Sequence, residues 1–218
     1  MRVTSVVSIL LLSSVLDFGS AHAGPGTDAV RETSEAIRVL LAQKAEADAE
    51  QKHELCGRIA NEIRLLLDAK EVGRRAIQDH LDTLSTAEVE EFQTLLAALI
   101  EHSYTRAVES QIRYEIEFLE EHGTVNRKVV TEVRTTRGGK PYTAMVTFQL
   151  HHRNAAWRAY DVVTDGASLV ASYRAQFNRI IAKEGYHGLL SRMRKRSRVF
   201  QQQELCSARP STVGHVSL

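Results

Sequence analysis

The chain has 218 residues, 43% of them hydrophobic and 25% charged, with a formal net charge of +1 at pH 7. Beyond the N-terminal run no stretch is apolar enough to cross a bilayer. No repeat, low-complexity segment, CxxC motif or His/Cys cluster appears either, which argues against repeat architectures and metal-cluster proteins. Near neutrality hides an asymmetry: residues 24–126 carry 11 Lys/Arg against 21 Asp/Glu, and residues 127–218 carry 16 against 5. Such a split reads as two solvated faces and could orient the protein toward partners or anionic headgroups.

Arg2 gives a positive start, Val3 to Leu16 is largely apolar, and Ala21-His22-Ala23 is a small-x-small cleavage site. The expectation is a secretory signal peptide over residues 1–23, with Gly24 opening the mature chain. The apolar run is short for a membrane anchor. No Cys follows the site, which argues against a lipoprotein. About 195 residues then remain, enough for one soluble, exported domain. Cys56 and Cys206 would meet an oxidising compartment and could pair, but their spacing does not show whether they do.

The first half of the mature chain reads as helices. Val30, Ile37, Leu40 and Leu41 mark one amphipathic face; Leu55, Ile59, Ile63, Leu66 and Leu67 mark a second. Asp68 can cap a short third helix carrying Val72, Ala76 and Ile77. Ser85-Thr86-Ala87-Glu88 is a capping-box pattern. It opens a long helix with Val89, Phe92, Leu95, Leu96, Leu99 and Ile100 inward, running to about Val108. Glu109 and Ser110 fall where the period changes.

From there the period is two. Ile112, Tyr114, Ile116 and Phe118 alternate with Arg113, Glu115 and Glu117. Val129 to Thr136 gives a second strand, and Arg137-Gly138-Gly139-Lys140-Pro141 a turn. Tyr142, Ala144, Val146, Phe148 and Leu150 line one face of a third strand. Arg153-Asn154 turns into a fourth, Trp157–Thr164. Four successive strands with short connections imply an antiparallel meander. Asp165-Gly166 turns into a helix from about Leu169 to Glu184, with Gly185 as its C-terminal cap. A shorter basic helix follows from about Leu189 to Arg198, and residues 204–218 read as a flexible tail. The fold class is α+β: a helical N-terminal half packed on a four-stranded antiparallel sheet, followed by C-terminal helices.

No catalytic constellation stands out. Asp161 and Asp165 could form an acid–base pair, but turn chemistry and a hydrogen-bonded carboxylate explain them. His151 and His152 point to opposite faces of a strand and read as surface histidines. Ser168 lacks a nucleophile-elbow context and reads as a helix cap. The Arg137–Lys140 loop precedes no helix, so it reads as a hairpin turn and not as a phosphate loop. The basic run Arg192 to Arg198 has no aromatic platform, and export argues against nucleic acid. A solvated face, an anionic lipid surface or a partner protein accounts for it.

The segment WRAYDVVTDGASLVASYRAQF carries a more specific signal. Trp157, Tyr160, Asp161, Val162, Gly166, Ser168, Leu169, Val170, Tyr173, Arg174 and Phe177 resemble the C-terminal signature of the MlaC (toluene-tolerance) family. The resemblance implies a single lipid-binding domain over residues 24–203, enclosing an apolar pocket for phospholipid acyl chains. It implies a monomeric periplasmic carrier, not an enzyme, without cofactor or metal. Its partners would be phospholipid, an inner-membrane ABC lipid transporter complex and an outer-membrane lipoprotein–porin complex. Inward periodicity then nominates the lining: Phe92, Leu96, Leu99 and Tyr104; Ile116, Val146, Phe148, Tyr160 and Val162; Val170, Tyr173 and Phe177. The alternative is a small-molecule enzyme on a cone-shaped α+β scaffold with Asp161 or Asp165 as base. A structural envelope adaptor is a third, weaker reading.

Overall fold

A computed structural model of the protein describes residues 24–109, 114–137 and 139–202. The expected signal peptide, Ser110, Ile112, Arg113, Gly138, Cys206 and the expected 204–218 tail lie outside these residues. The helical half comprises α1 (Pro25–Glu46), α2 (Ala49–Leu66), α3 (Ala69–Ala76), a 3₁₀ helix (Gln78–Thr83) and α4 (Thr86–Glu109). No helix among the described residues is long and apolar enough to cross a membrane.

The caps explain most boundaries. Ser85 and Glu88 form the expected reciprocal pair: the Ser85 N–H donates to Glu88 Oε2 at 2.9 Å, and the Glu88 N–H donates to Ser85 Oγ at 3.3 Å. Asp68 Oδ1 accepts from the Glu71 N–H at 3.1 Å. Asp48 and Gln51 make a further capping box that opens α2. The start of α1 is held from a distance. Glu121 accepts from the N–H groups of Gly26 and Thr27, at 3.1 and 2.7 Å. A side chain at Gly26 would meet Glu121 and Leu150 at 3.0 and 3.2 Å, so glycine permits that approach.

The sheet is an antiparallel meander in the order β1 (Tyr114–His122), β2 (Asn126–Arg137), β3 (Lys140–Arg153), β4 (Ala156–Thr164) and β5 (Ala167–Ser168). It has five strands where four are expected, because β5 is only two residues long and two residues carry no period. Asp165 and Gly166, at φ 48° and 82°, make the tight β4–β5 turn. Where β5 stops, the α2–α3 corner covers the same edge of β4: Leu67 bridges Ala159, and the Asp68 N–H donates to the Ala159 carbonyl at 2.8 Å.

Ser168 then caps α5 (Leu169–Gln202), accepting from the Ala171 N–H at 3.0 Å. Gly185, at φ 72° and ψ 172°, breaks α5 in two, where a C-terminal cap is expected. After the break the helix runs beside α4 in the same direction. Tyr186 Oη donates to the Glu88 carbonyl near the start of α4, and Phe200 stacks on His102 near its end. The main core lies between the sheet, α3, α4 and α5, around Phe92, Phe177, Leu150 and Met193. A second cluster joins α1 and α2 through Ile37, Leu40, Leu41, Leu55, Ile59 and Ile63.

Candidate functional site

Strand register assembles one apolar face. Tyr114, Ile116 and Phe118 oppose Thr135, Val133 and Thr131. Those oppose Tyr142, Ala144 and Val146. Val129 opposes Phe148, which opposes Val162. Thr131 is wholly buried in this face, and its hydroxyl donates to the Val146 carbonyl at 2.9 Å, which satisfies it there.

Burial varies along the face, and Ala144 is buried beside half-buried Val133. Val129, Leu150 and Ala159 are sealed in the main core, and Phe118, Phe148 and Val162 pack against it half-buried. Tyr114 packs instead against the α1–α2 cluster. Ile116 sits between Tyr114 and Phe118 on the same face, so it lies where the two clusters meet. It is half-buried, as are Val133 and Val146. Tyr104, on α4, touches both clusters. These residues form an apolar seam between the sheet and the helices.

The tyrosines of the seam are neutral, and the Arg31 guanidinium lies over the Phe118 ring at 4.3 Å. Burial, then the negative Asp161, pushes the Tyr104 hydroxyl up to about 12. Burial also pushes Tyr114 up to about 12, and its hydroxyl donates to the Ser34 carbonyl at 2.8 Å. Behind the seam, Phe92, Leu96, Leu99 and Phe177 are fully buried. Phe92 meets Phe177 edge-on at 5.3 Å, and Tyr173 stacks on Phe177 at the same distance. Val170 is buried with them. In this state those six helix residues are packing groups, and Tyr104, Ile116, Val146, Phe148 and Val162 are the half-buried ones.

Tyr160 is not brought to the seam. A bulge between Gln149 and Leu150 pairs Ala159 with Leu150 and Asp161 with Gln149, so strict alternation fails at Tyr160. Its ring lies under the Arg75 guanidinium at 3.9 Å and edge-on to His151 at 5.5 Å. Its hydroxyl donates to Gln149 Oε1 at 3.3 Å. Periodicity overlooked Thr131 and Val133, although Val133 alternates correctly and could have been included.

The candidate acid–base residues are engaged in the fold. Asp161 accepts from the Val170 N–H at 3.0 Å and from Ser168 Oγ at 2.7 Å, holding the start of α5. Asp165 accepts from Tyr142 Oη at 2.8 Å and the Met145 N–H at 2.9 Å, across the sheet edge. His151 is more than a surface histidine: its Nε2 lies 3.0 Å from Asp68 Oδ2. The basic run is partly neutralised, Arg192 by Glu184 and Arg194 by Glu91, each at 2.6 Å.

Comparison with known proteins supplies an independent line. A family model described as MlaC protein matches residues 31–195, which span the helices, the sheet and most of α5. No curated protein matches the chain. Among solved structures, the fold is similar to that of a phospholipid-binding protein from Ralstonia solanacearum, determined in complex with a phospholipid. The TM-score is 0.66 at 15% identity, over 82% of this chain and 99% of that one.

Proposed function

The chain belongs to the MlaC protein family, and on that premise we propose that it is a phospholipid carrier that holds acyl chains in the seam between the sheet and α4–α5. One observation carries the reading: within a fold matched by the family over residues 31–195, the sheet face leaves Ile116, Val133 and Val146 half-buried on the rows between Tyr114, which packs on the α1–α2 cluster, and Phe148, which packs on the main core. A contiguous half-buried apolar face of this kind is what marks a ligand groove. The neighbour of similar fold is itself a phospholipid-binding protein.

The energetics suit such a carrier. Each methylene withdrawn from water gains about 0.8 kcal/mol, so two acyl chains of ~30 methylenes face roughly 20 kcal/mol in bare water. An apolar seam offers surroundings close to those of the bilayer. Transfer between the two is then nearly balanced, and partner contacts can set its direction. Loading requires the seam to widen, because Phe92, Leu96, Leu99 and Phe177 are packed on the helix side. A charged headgroup stays at the mouth, where it avoids desolvation.

The setting follows from the same reading. Cys56 is disulfide-bonded, as expected of a protein in an oxidising compartment, and with the signal-like N-terminus this supports a periplasmic location. The partners would be an inner-membrane ABC lipid transporter and an outer-membrane complex, with no chemical turnover. The test is lipid extraction from protein purified out of its own envelope. Roughly stoichiometric phospholipid is expected; a small polar ligand in its place contradicts the reading.

A further inference from the structure

The polar groups around the seam are mostly partnered. Thr131 bonds the Val146 carbonyl, Tyr114 the Ser34 carbonyl, and Asp161 the start of α5. Tyr173 is different. It is 4% exposed, and its hydroxyl is buried with no hydrogen-bond partner. Two other unpartnered groups lie on α4, and neither belongs to an aromatic stack behind the seam. His102 is stacked between the helices on Phe200, and Thr105 Oγ1 is buried without a partner on α4, where a hydroxyl of this kind ordinarily turns to a carbonyl one turn back.

Leaving a phenol unpartnered inside a protein is unfavourable. Phenylalanine would fill the same space without that cost. Tyr173 stacks on Phe177 behind the seam, and its hydroxyl is close enough to Tyr104, which borders the seam, for Tyr104 to act on its ionisation. Burial holds the proton on the oxygen, so the group is a hydrogen-bond donor in search of an acceptor.

The surroundings select the acceptor. Asp161 is bonded to the Val170 N–H, three residues before Tyr173 on α5, and a carboxylate there would repel a phosphate. Burying an anion beside apolar side chains would add a large desolvation cost. A neutral carbonyl meets neither objection. In a diacyl lipid the first polar atoms above the acyl chains are the ester carbonyls.

We infer that Tyr173 Oη donates a hydrogen bond to an acyl-ester carbonyl of the bound lipid, so that the seam distinguishes ester-linked from ether-linked phospholipids. This rests on the carrier reading and adds a specificity-determining residue to it. The hydroxyl sets how deep the chains descend, and it acts when the seam widens.

The test loads the full mature chain from vesicles containing equal amounts of dioleoyl phosphatidylethanolamine and its dialkyl ether analogue, and counts each bound lipid by mass spectrometry. Wild type should prefer the ester about tenfold, equivalent to ~1.4 kcal/mol. Tyr173→Phe should bring the ratio to about one by lowering ester uptake alone, while Tyr186→Phe, which removes a hydroxyl bonded to the Glu88 carbonyl away from the seam, keeps the preference. An equal ratio in wild type, or an unchanged preference in Tyr173→Phe, overturns the inference but leaves the carrier reading standing. Uptake of neither lipid by wild type overturns both. A readout that needs no variant is the infrared carbonyl band of ¹³C-ester-labelled lipid bound to wild type. A shift to lower wavenumber is expected, and a band at the position of an unbonded ester contradicts the assignment.

Discussion

His102 shows how a single side chain can set a pH dependence. It is 4% exposed, stacked on Phe200 at 3.8 Å, with Arg106 on its own helix and Arg196 on α5 nearby. Burial, then those two cations, pushes its imidazole down to about 4. The unfolded chain therefore binds a proton near pH 6.5 that the folded chain refuses until about pH 4. Stability should fall as pH drops through that window, by about 1–3 kcal/mol. His102→Phe keeps an aromatic ring on Phe200 and removes the titration. Urea unfolding at pH 7 and pH 4.5 should show a smaller pH difference in the variant, and an undiminished difference would refute the assignment. Glu71 works lower on the scale. Its hydrogen bond to Arg74, supported by Arg75, holds its carboxyl at about 2, so its contribution is lost only below about pH 4.5.

At the scale of elements, what was legible depended on distance along the chain. The caps at Asp68 and Ser85 lie within three residues of their partners, and both could be read directly. Glu121 holds α1 from 95 residues away, and no local pattern announces it. The bulge that removes Tyr160 from the seam is a property of the β3–β4 pairing, invisible in either strand alone. That Ile116, Val146, Phe148 and Val162 share one sheet face was readable, because the period of two holds through their segments. The break in α5 was also readable, from Gly185. Its φ of 72° and ψ of 172° lie in a region nearly closed to other residues. Nothing lies within 4 Å of where a side chain would sit, so the penalty for substitution there is backbone strain alone. Gly185→Ala should cost about 1–3 kcal/mol in denaturant unfolding, at unchanged lipid loading per folded molecule. A neutral result would mean that the helix can straighten through this point.

Over the whole molecule, two apolar clusters meet at a half-buried sheet face, and the energetic case for carriage depends on that seam opening. Cys56 is fully buried and disulfide-bonded, yet it is a member of neither of the two clusters that meet at the seam. Cys56→Ala should therefore lower stability by about 2–4 kcal/mol and leave lipid per folded protein unchanged. Loss of lipid from a fully folded variant would place the crosslink in the binding machinery. The central claim, that acyl chains occupy the inner face of the sheet, is tested most directly by one comparison on β3. Val146 faces the seam, and Thr147, paired with Val130 and Val163, faces the other way. Phospholipid bound per folded molecule is measured for Val146→Asp and Thr147→Asp after loading from the same vesicles. A carboxylate at Val146 puts an uncompensated charge among acyl chains and should reduce loading at least tenfold, while Thr147→Asp stays near wild type. Normal loading of Val146→Asp, or equal losses in the two variants, would contradict the account.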